Sequence, residues 1–289
     1  MINKYTTQKI LLVGANGYIG CRFLERCQDK YNIYSIDNLL KKNDLLPNIN
    51  QIDYREMKIN EINEFDICLW LAGHSSVPQS LADPEGCYDN NYSGLVNFMN
   101  MFKGKIIYAS SASVYTSIAG AICDEDTTVG MPINIYDYTK ISIDNYMSIM
   151  NKDFVSLRFG TVDGGSKHIR EELLLNKMVK DALNENKIYL ANPKANRGVL
   201  FIEDLVDAIE LLLNSPPKLP QIYNLSSINA NMETLANIVK KKTKATIHEL
   251  DHSSKYNFQM SSNKFSNDYN YHFTDDVEVI IDNLIKFYT

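Results

Sequence analysis

Three side chains in the first half of the chain could together move a proton and a hydride. Tyr136 and Lys140 are four residues apart in a segment with helical spacing, so their side chains fall on the same face. A tyrosine ordinarily loses its proton at about pH 10, but a nearby ammonium favours the phenolate, which can accept a proton from an alcohol. Ser111, at the end of a predicted strand, could hydrogen-bond the alcohol oxygen. Because this tyrosine–lysine spacing is common on helix surfaces, it indicates a catalytic pair only in combination with the motifs that precede it in the chain.

A glycine-rich turn follows the apolar run Lys9–Val13. Its spacing predicts a strand-to-helix turn whose amides and helix N-terminus face a pyrophosphate, although such turns also occur without a ligand. A glycine at the first position permits the turn, the second lets phosphates come close, and the third lets the helix pack on the strand. We expect the dinucleotide to contact Gly14, Asn16, Gly17, Tyr18, Ile19 and Gly20.

Asp37 lies at the carboxyl end of the next predicted strand. A carboxylate there can accept hydrogen bonds from both adenosine ribose hydroxyls and repels a 2′-phosphate, which favours NAD over NADP. Lys41 and Lys42 could instead accommodate an additional phosphate. Asp53 could accept from the adenine amino group or be an exposed loop residue.

Short apolar runs alternate with helical patterns through the first half of the chain. This alternation predicts an α/β fold, a doubly wound parallel sheet of the Rossmann type, in which ligands bind beyond the carboxyl ends of the strands. The predicted strands are 9–13, 32–36, 66–72, 105–109 and 154–158, and the helices are 17–27, a long one opening at Asp83-Pro84, and 136–150. The candidate residues at Gly14, Asp37, 72–74 and 110–111 all fall at strand ends.

The second half has a looser pattern and predicts a smaller C-terminal α/β substrate lobe. We expect residues 1–162 to form the NAD-binding domain, with parts of 200–226 returning to it, and 163–289 to form most of the lobe. The predicted helices are 171–184, 204–213, 232–241 and 275–287, and the strands are 188–190, 222–225 and 245–247. Residues 252–270, rich in Ser, Asn and Tyr, give no readable pattern.

The composition of the chain argues against several classes of binding partner. The 289 residues carry a net charge of −6, so no global positive field attracts nucleic acid. Five cysteines without C-x-x-C spacing indicate a reduced, cytoplasmic protein without disulfides, with Cys68 in the core. The histidine spacings do not support a metal site, and no apolar stretch approaches the length needed to span a membrane.

Several segments carry a resemblance to a known family. Those segments are Asp37-Asn38-Leu39, Leu71-Ala72-Gly73, Asn91 on the following helix, Ser110–Tyr115, Leu157–Val162 and Arg197–Asp204. With the glycine turn and the Tyr136–Lys140 pair, they make the chain resemble the extended short-chain dehydrogenase/reductase family, in its branch of nucleotide-sugar epimerases and dehydratases similar to UDP-glucose 4-epimerase. Trp70 stands where that family has histidine, and Asp163 where tyrosine is usual.

The resemblance implies roles for individual residues. It implies that Ser111, Tyr136 and Lys140 are catalytic, and that Asn38, Leu71, Ala72 and Gly73 contact NAD together with the turn, Asp37, Asp53, Tyr136 and Lys140. For the nucleotide-diphosphate sugar we expect contacts from Ser111, Ser113, Gly160, Thr161 and Arg197, with Arg197 on a phosphate by resemblance; Asp163 is expected to line the same pocket. His74, near the end of the predicted strand 66–72, could contact the sugar or have a structural role. The resemblance also implies a homodimer through the helices at 83–103 and 136–150.

The reaction is narrowed by what the motif lacks. A 4,6-dehydratase needs an acid and a base where this chain has Ala112 and Ser113, which disfavours elimination of water. Cys123 and His168 could serve as the second acid/base pair of an epimerase–reductase, but neither matches that motif closely. We therefore expect redox chemistry at C4 of the sugar, with 4-epimerisation favoured over net dehydrogenation or reduction. A non-catalytic NAD-binding sensor remains a further alternative.

Overall fold

A computed structural model describes residues 8–41, 43–116, 118, 120–150, 153–215, 221–251 and 257–289. The strands in these ranges are β1 (Lys9–Val13), β2 (Asn32–Asp37), β3 (Asn50–Gln51), β4 (Ile67–Trp70), β5 (Lys105–Ser111), β6 (Ile122–Cys123), β7 (Phe154–Phe159), β8 (Thr161–Asp163), β9 (Lys187–Ala191), β10 (Asn196–Phe201), β11 (Gln221–Leu225), β12 (Ile228–Asn231), β13 (Thr246–Leu250) and β14 (Gln259–Met260). The α-helices are α1 (Tyr18–Cys27), α2 (Ile59–Ile62), α3 (Val77–Ala82), α4 (Pro84–Tyr88), α5 (Gly94–Met101), α6 (Ile135–Ile149), α7 (Leu174–Glu185), α8 (Ile202–Asn214), α9 (Met232–Thr243), α10 (Asn263–Tyr269) and α11 (Val277–Tyr288).

The main sheet confirms the predicted fold class. Its seven parallel strands follow the order β11-β7-β5-β4-β1-β2-β3. The strand order reverses direction next to β1, which pairs with both β2 and β4. In doubly wound sheets, ligands bind beyond the carboxyl ends of the strands at such a reversal. The sheet therefore places the glycine turn, which follows β1, where a dinucleotide is expected.

Apolar strand residues explain why this sheet is buried on both faces. All four residues of β4 are buried, as are the last four of β1. Cys68 is among them, as the sequence predicts, and all five cysteines are buried free thiols. Trp70 packs against Phe98 of α5 with ring centroids 5.0 Å apart. Continuous apolar runs of this kind are typical of parallel strands covered by helices.

The chain divides into two compact units, each built from several segments. The first unit comprises 1–111, 132–157 and 212–222, and the second comprises 112–131, 158–211 and 223–289. Residues 212–222 thus join the first unit, while 112–131 cluster with the second. The assignment of one part to NAD and the other to substrate stays a prediction.

Three small sheets lie in the described part of the second unit. One has the order β12-β10-β8, in which β10 is parallel to β8 and antiparallel to β12. The others pair β13 with β9 and β14 with β6. Part of the segment that gave no readable pattern forms α10, whose Phe265 is buried and stacks on Tyr269 at 4.6 Å; residues 252–256 of that segment lie outside the described residues.

The long helix predicted to open at Asp83-Pro84 begins there but is interrupted. Asp83 caps α4 by accepting a hydrogen bond from the Gly86 amide, at 2.9 Å, and Pro84 occupies the first position. Residues Asp89–Ser93 then form a π-helical turn before α5 continues. None of the helices in the described ranges combines the length and apolar character that a membrane crossing requires.

Candidate functional site

The glycine turn after β1 is held by backbone contacts on two sides. The amides of Gly14 and Ala15 donate to the carbonyl of Ile36, at 3.0 and 3.1 Å, which fixes the turn against the end of β2. Gly14 has φ +87°, and a Cβ there would lie 2.6 Å from the Ala72 nitrogen. A Cβ at Gly20 would lie 2.5 Å from the Gly14 oxygen, so α1 can begin this close to β1 only with glycine at that position. At Gly17 the nearest atom would be 3.3 Å away.

Asp37 ends β2 with its carboxylate oriented by two amides. Its Oδ2 accepts from the Asn16 amide at 2.9 Å, and its Oδ1 accepts from the Leu39 amide at 2.8 Å. Each carboxylate oxygen retains a lone pair for another donor, as a ribose diol would require. The Asn16 side chain contacts the backbone of Asp44 and Leu46, which ties the following loop to the turn. Lys41 is exposed in this loop, and Lys42 lies outside the described residues.

Asp53 belongs to a chain of polar contacts rather than standing alone in a loop. Its carboxylate accepts from Asn38 Nδ2 at 3.0 Å and from Arg55 at 2.8 Å. The Arg55 guanidinium also contacts the side chains of Asp89 and Asn90. Asp53 and Asn38 therefore orient each other next to β2, which is compatible with the predicted contact to adenine and leaves it a prediction.

His74 has partners inside the first unit on both ring nitrogens. Asn90 Nδ2 donates to Nδ1 at 3.3 Å, so Nε2 carries the proton and donates to Asp83 at 3.1 Å. The Gly86 amide and His74 lower the pKa of the Asp83 carboxyl below its ordinary value. Since His74 is only 4% exposed, these contacts favour a positioning role over the substrate contact expected from the sequence.

Asn91, in the π-helical turn, holds the segment after β4. Its Oδ1 accepts from the His74 amide at 2.8 Å and its Nδ2 donates to the His74 carbonyl at 2.9 Å. The same Nδ2 lies 3.4 Å from Thr139 Oγ1 of α6. Gly73, at φ +131°, packs directly on the Asn91 side chain. One buried amide thus links the predicted cofactor segment 71–73 to the helix that carries Tyr136 and Lys140.

Asn91→Ala should lower the free energy of unfolding by about 2–4 kcal/mol, because a buried backbone N–H and C=O would both lose their partner. Asn63→Ala is the matched control: Asn63 is half-buried and bonds three backbone groups, but those hydrogen bonds are exposed, so water can replace its side chain. Urea unfolding of both variants measures the difference. Equal losses in the two variants would show that the buried contacts of Asn91 add nothing.

The three predicted catalytic residues all lie in the first unit, on β5 and α6. Ser111 is the last residue of β5, and Tyr136 and Lys140 lie on α6, which Asn134 caps by accepting from the Asp137 amide at 2.9 Å. Lys140 Nζ lies 5.6 Å from the Tyr136 ring centroid and donates to the Ala109 carbonyl of β5 at 2.7 Å. Burial lowers the pKa of Lys140 to about 8, against the opposing effect of Asp144. The ammonium is thereby placed beside the phenol and anchored to the strand that ends in Ser111.

Asp144 is a residue that the sequence analysis missed. It lies four residues after Lys140 on α6 and is 1% exposed. Its carboxylate accepts from Ser110 Oγ at 3.2 Å and from Ser156 Oγ at 2.5 Å. The helical spacing from Tyr136 through Lys140 to Asp144 was the available signal, but a lone acidic residue on a helix is ordinarily solvated.

The predicted substrate residues of the second unit lie on small strands and turns. Gly160 donates its amide to the Leu225 carbonyl at 2.9 Å, and Thr161 begins β8 next to it. Arg197 lies on β10, where it pairs with Ala230. Ser113 is 8% exposed and its carbonyl accepts from Thr116. The expectation that Asp163 lines the pocket is wrong: it is fully buried, and its Oδ1 accepts from the Leu175 and Asn176 amides, at 2.8 and 3.1 Å, in the first turn of α7.

The fold and the turn after β1 define a dinucleotide-binding α/β protein. Residues 10–226 match the NAD dependent epimerase/dehydratase family, and because this match covers most of the chain, the chain belongs to that family. UDP-glucose 4-epimerase of Lactobacillus helveticus is 26% identical over 268 residues, which cover 80% of this chain and 81% of that enzyme.

Two solved structures show the same fold. UDP-glucose 4-epimerase of Thermus thermophilus in complex with NAD superposes with a TM-score of 0.83 at 18% identity, covering 97% of this chain and 98% of that one. TunA, an NAD-dependent NDP-hexosamine 5,6-dehydratase involved in tunicamycin biosynthesis, superposes with a TM-score of 0.85 at 18% identity, covering 98% of both chains. The predicted family resemblance and the NAD cofactor are confirmed at the level of the family.

The residues present fit this cofactor. The first turn of α1 contains no acidic residue, so the positive end of its dipole stays available to a diphosphate. Asp37 presents a carboxylate where a ribose diol is expected. Bound NAD would accept a hydride from the substrate carbon. Tyr136, Lys140 and Ser111 are the residues predicted to transfer the proton of the substrate hydroxyl.

Proposed function

We propose that this protein oxidises and re-reduces C4 of a nucleoside-diphosphate sugar, so that the net reaction is 4-epimerisation. The observation that carries the proposal is the anchored Tyr136–Lys140 pair, with Lys140 Nζ bonded to the β5 carbonyl of Ala109 at 2.7 Å. A buried ammonium held in this way favours the neighbouring phenolate over a neutral phenol. Its anchoring to the strand that ends in Ser111 supports a catalytic assignment over that of a solvated surface pair.

Each residue has a defined part in the proton transfer. The Tyr136 phenolate takes the proton of the C4 hydroxyl while C4 gives up its hydride, for which bound NAD would be the acceptor, and a 4-keto sugar and a neutral phenol result. Ser111 donates to the C4 oxygen and holds it in place. If the keto sugar rotates in the site and takes the hydride back on its opposite face, the phenol returns its proton to the C4 oxygen. The product is then the alcohol of opposite configuration, and no external oxidant is needed.

The same residues would serve a net 4-dehydrogenase, in which the keto sugar leaves. We favour the epimerase because most of the chain aligns with a UDP-glucose 4-epimerase. A 4,6-dehydratase is disfavoured since Ala112 and Ser113 supply neither an acid nor a base for removing water. The likeness to a 5,6-dehydratase at 18% identity reports the fold alone.

Arg197 is proposed to bind the diphosphate of the sugar nucleotide. Its guanidinium is half-buried, and its Nη1 donates to the Asn196 carbonyl at 3.1 Å, which limits its rotation. A guanidinium has five donors in a planar fork and can bond a phosphate at two points simultaneously. With Thr161 and Gly160, this residue forms the proposed substrate-binding set of the second unit.

The test is turnover of UDP-, GDP- and dTDP-hexoses by the holoenzyme with added NAD. An epimerase gives the 4-epimer, detected by chromatography and mass spectrometry, without accumulation of NADH. If a keto sugar and an equal amount of NADH accumulate, the protein is a net 4-dehydrogenase and the epimerase proposal is wrong. Bound NAD with no product from any hexose would contradict both and favour the sensor.

Asp37→Ala should weaken NAD binding by about tenfold to a hundredfold, because two charge-assisted hydrogen bonds to the ribose would be lost. The ratio of NADP to NAD affinity should rise, since the carboxylate no longer repels a 2′-phosphate. Asp44→Ala, which removes an exposed carboxylate from the same loop, is the control. Calorimetric titration with both dinucleotides measures the ratio, and an unchanged ratio in Asp37→Ala would refute the assigned role.

A homodimer and a cytoplasmic location complete the proposal. Tyr88 of α4 and Tyr138 of α6 are 38% and 41% exposed. Their rings stack with centroids 6.3 Å apart, which leaves an aromatic surface on the two helices that the resemblance assigns to the dimer. The mass of the particle in solution tests the dimer. The five buried free thiols are consistent with a reducing compartment.

A further inference from the structure

Asp144 carries a buried charge that the proposed reaction does not use. It is the third member of a series on α6, after Tyr136 and Lys140 at four-residue intervals, and only 1% of it is exposed. A buried carboxylate is costly unless it is hydrogen-bonded or paired. Its presence under the catalytic pair therefore calls for a function that a neutral side chain would not supply.

The contacts of Asp144 join three elements of the first unit. Oδ2 accepts from Ser110 Oγ of β5, and Oδ1 accepts from Ser156 Oγ of β7. Ser110 immediately precedes Ser111, and Lys140 bonds the carbonyl of Ala109. The carboxylate and the ammonium thus bind α6 to the same end of β5 from two adjacent turns of the helix.

The charge of Asp144 can affect Lys140 because Lys140 is itself buried. Its Nζ lies over the buried ring of Tyr108, 4.7 Å from the centroid, and the side chain is 5% exposed. The titratable groups that face it are Asp144 and Tyr136 on its own helix, Cys87 on α4 and Tyr108 on β5. Burial lowers the pKa of Lys140, whereas Asp144 and, secondarily, Cys87 raise it.

We propose that Asp144 is a positioning residue for the catalytic pair: its hydrogen bonds fix α6 against β5 and β7, and so hold Lys140, one helical turn away, beside Tyr136. The inference rests on the proposed function insofar as Tyr136 and Lys140 are the catalytic pair. Its physical core, the placement of two buried charged residues one helical turn apart, does not depend on whether the protein turns over a sugar.

The coupling is tested without activity by a double-mutant cycle. Wild type, Asp144→Asn, Lys140→Met and the double variant are unfolded in urea between pH 6 and 9.5. At pH 6 to 7 the Asp144→Asn change should reduce the folding equilibrium constant by about tenfold more when Lys140 is present than when Met replaces it. The excess should fall between about pH 7 and 8 and be lost at higher pH, where Lys140 has lost its proton with or without Asp144. Equal losses in both backgrounds at every pH would overturn the inference.

The consequence for catalysis is read from the pH profile. With the Asp144 charge removed, Lys140 loses its proton at lower pH, so the alkaline limb of kcat should move down by about one pH unit. Ser156→Ala removes one hydrogen bond to Asp144 but keeps its charge, so the alkaline limb of kcat should stay in place. This variant keeps the test informative even if Asp144→Asn folds poorly. Asp204→Asn, a buried carboxylate of the second unit that accepts from Tyr271 and Thr274, controls for lost stability.

The two proposals fail in different ways. If no hexose turns over but the cycle shows the coupling, the proposed function fails and the charge pairing stands. If the enzyme is active and the limb of Asp144→Asn coincides with that of Asp204→Asn, the inference fails and the proposed function stands.

Discussion

Tyr136→Phe should lower kcat by about a thousandfold, because the variant has no group at that position to take the proton of the C4 hydroxyl. The ring should remain in place, since its neighbours on α6 are unchanged and Lys140 keeps its bond to Ala109. The affinity for NAD should therefore change little. Steady-state turnover of the sugar nucleotide, with the dissociation constant of NAD measured in parallel, separates loss of chemistry from loss of binding.

Tyr138→Phe is the control for this experiment. Tyr138 lies on the same helix, two residues further on, and is 41% exposed. Its hydroxyl should contribute nothing to the chemistry, so its kcat should match the wild type. If Tyr136→Phe retained activity within about twofold of Tyr138→Phe, the proton would be moved by another group and the assignment of Tyr136 would be wrong.

Local sequence patterns were sufficient for the elements that carry the proposed chemistry. The strand before the glycine turn, the helix of Tyr136 and Lys140, and the cap at Asp83 followed from apolar runs, helical spacing and a capping residue before proline. These signals depend on near neighbours in the chain, and burial on both sheet faces reinforces them. The parallel sheet then followed from the alternation of strands and helices.

The features that the sequence did not reveal depend on contacts between distant segments. The π-helical turn at Asp89–Ser93 interrupts a continuous helical pattern, and Asn91 within it bonds His74 from 17 residues away. Asp163 looked like a pocket residue because it stands within the family's loop motif, where tyrosine is usual, but its carboxylate caps α7. Burial raises the pKa of that carboxyl to about 7. Local spacing does not indicate whether a carboxylate faces solvent or a helix end.

Asp37 and Asp144 illustrate when a carboxylate can be interpreted from sequence and when it cannot. Asp37 was identifiable because a carboxylate at the end of the second strand has one common use. Asp144 was not, since its meaning comes from hydroxyls on β5 and β7, and Ser156 belongs to a strand that is twelve residues further along the chain. A polar residue in the core is interpretable only once its partners are known.

Gly14→Ala should lower the free energy of unfolding by about 2–5 kcal/mol, by adding the strain of a left-handed conformation to an overpacked contact. The new Cβ would lie 2.6 Å from the Ala72 nitrogen and 2.8 Å from its Cα, and these are backbone atoms that side-chain rotation cannot relieve. Because the turn would have to move away from Ala72, NAD binding should be lost even in the fraction that folds. Urea unfolding and NAD titration measure the two effects.

Two other glycines separate the causes of the Gly14→Ala effect. Gly120 has φ +80°, and a Cβ there would meet no described atom within 4 Å, so Gly120→Ala isolates the conformational strain, of about 1–2 kcal/mol. Gly17 has ordinary φ, and its Cβ would meet the Gly14 oxygen at 3.3 Å, so Gly17→Ala should cost little stability but weaken NAD binding if the pyrophosphate approaches there. If Gly14→Ala destabilises the protein no more than Gly120→Ala does, the turn can move away from Ala72 without an energetic cost. The interpretation of the glycine turn as rigidly held between β1, β2 and the segment after β4 would then be wrong.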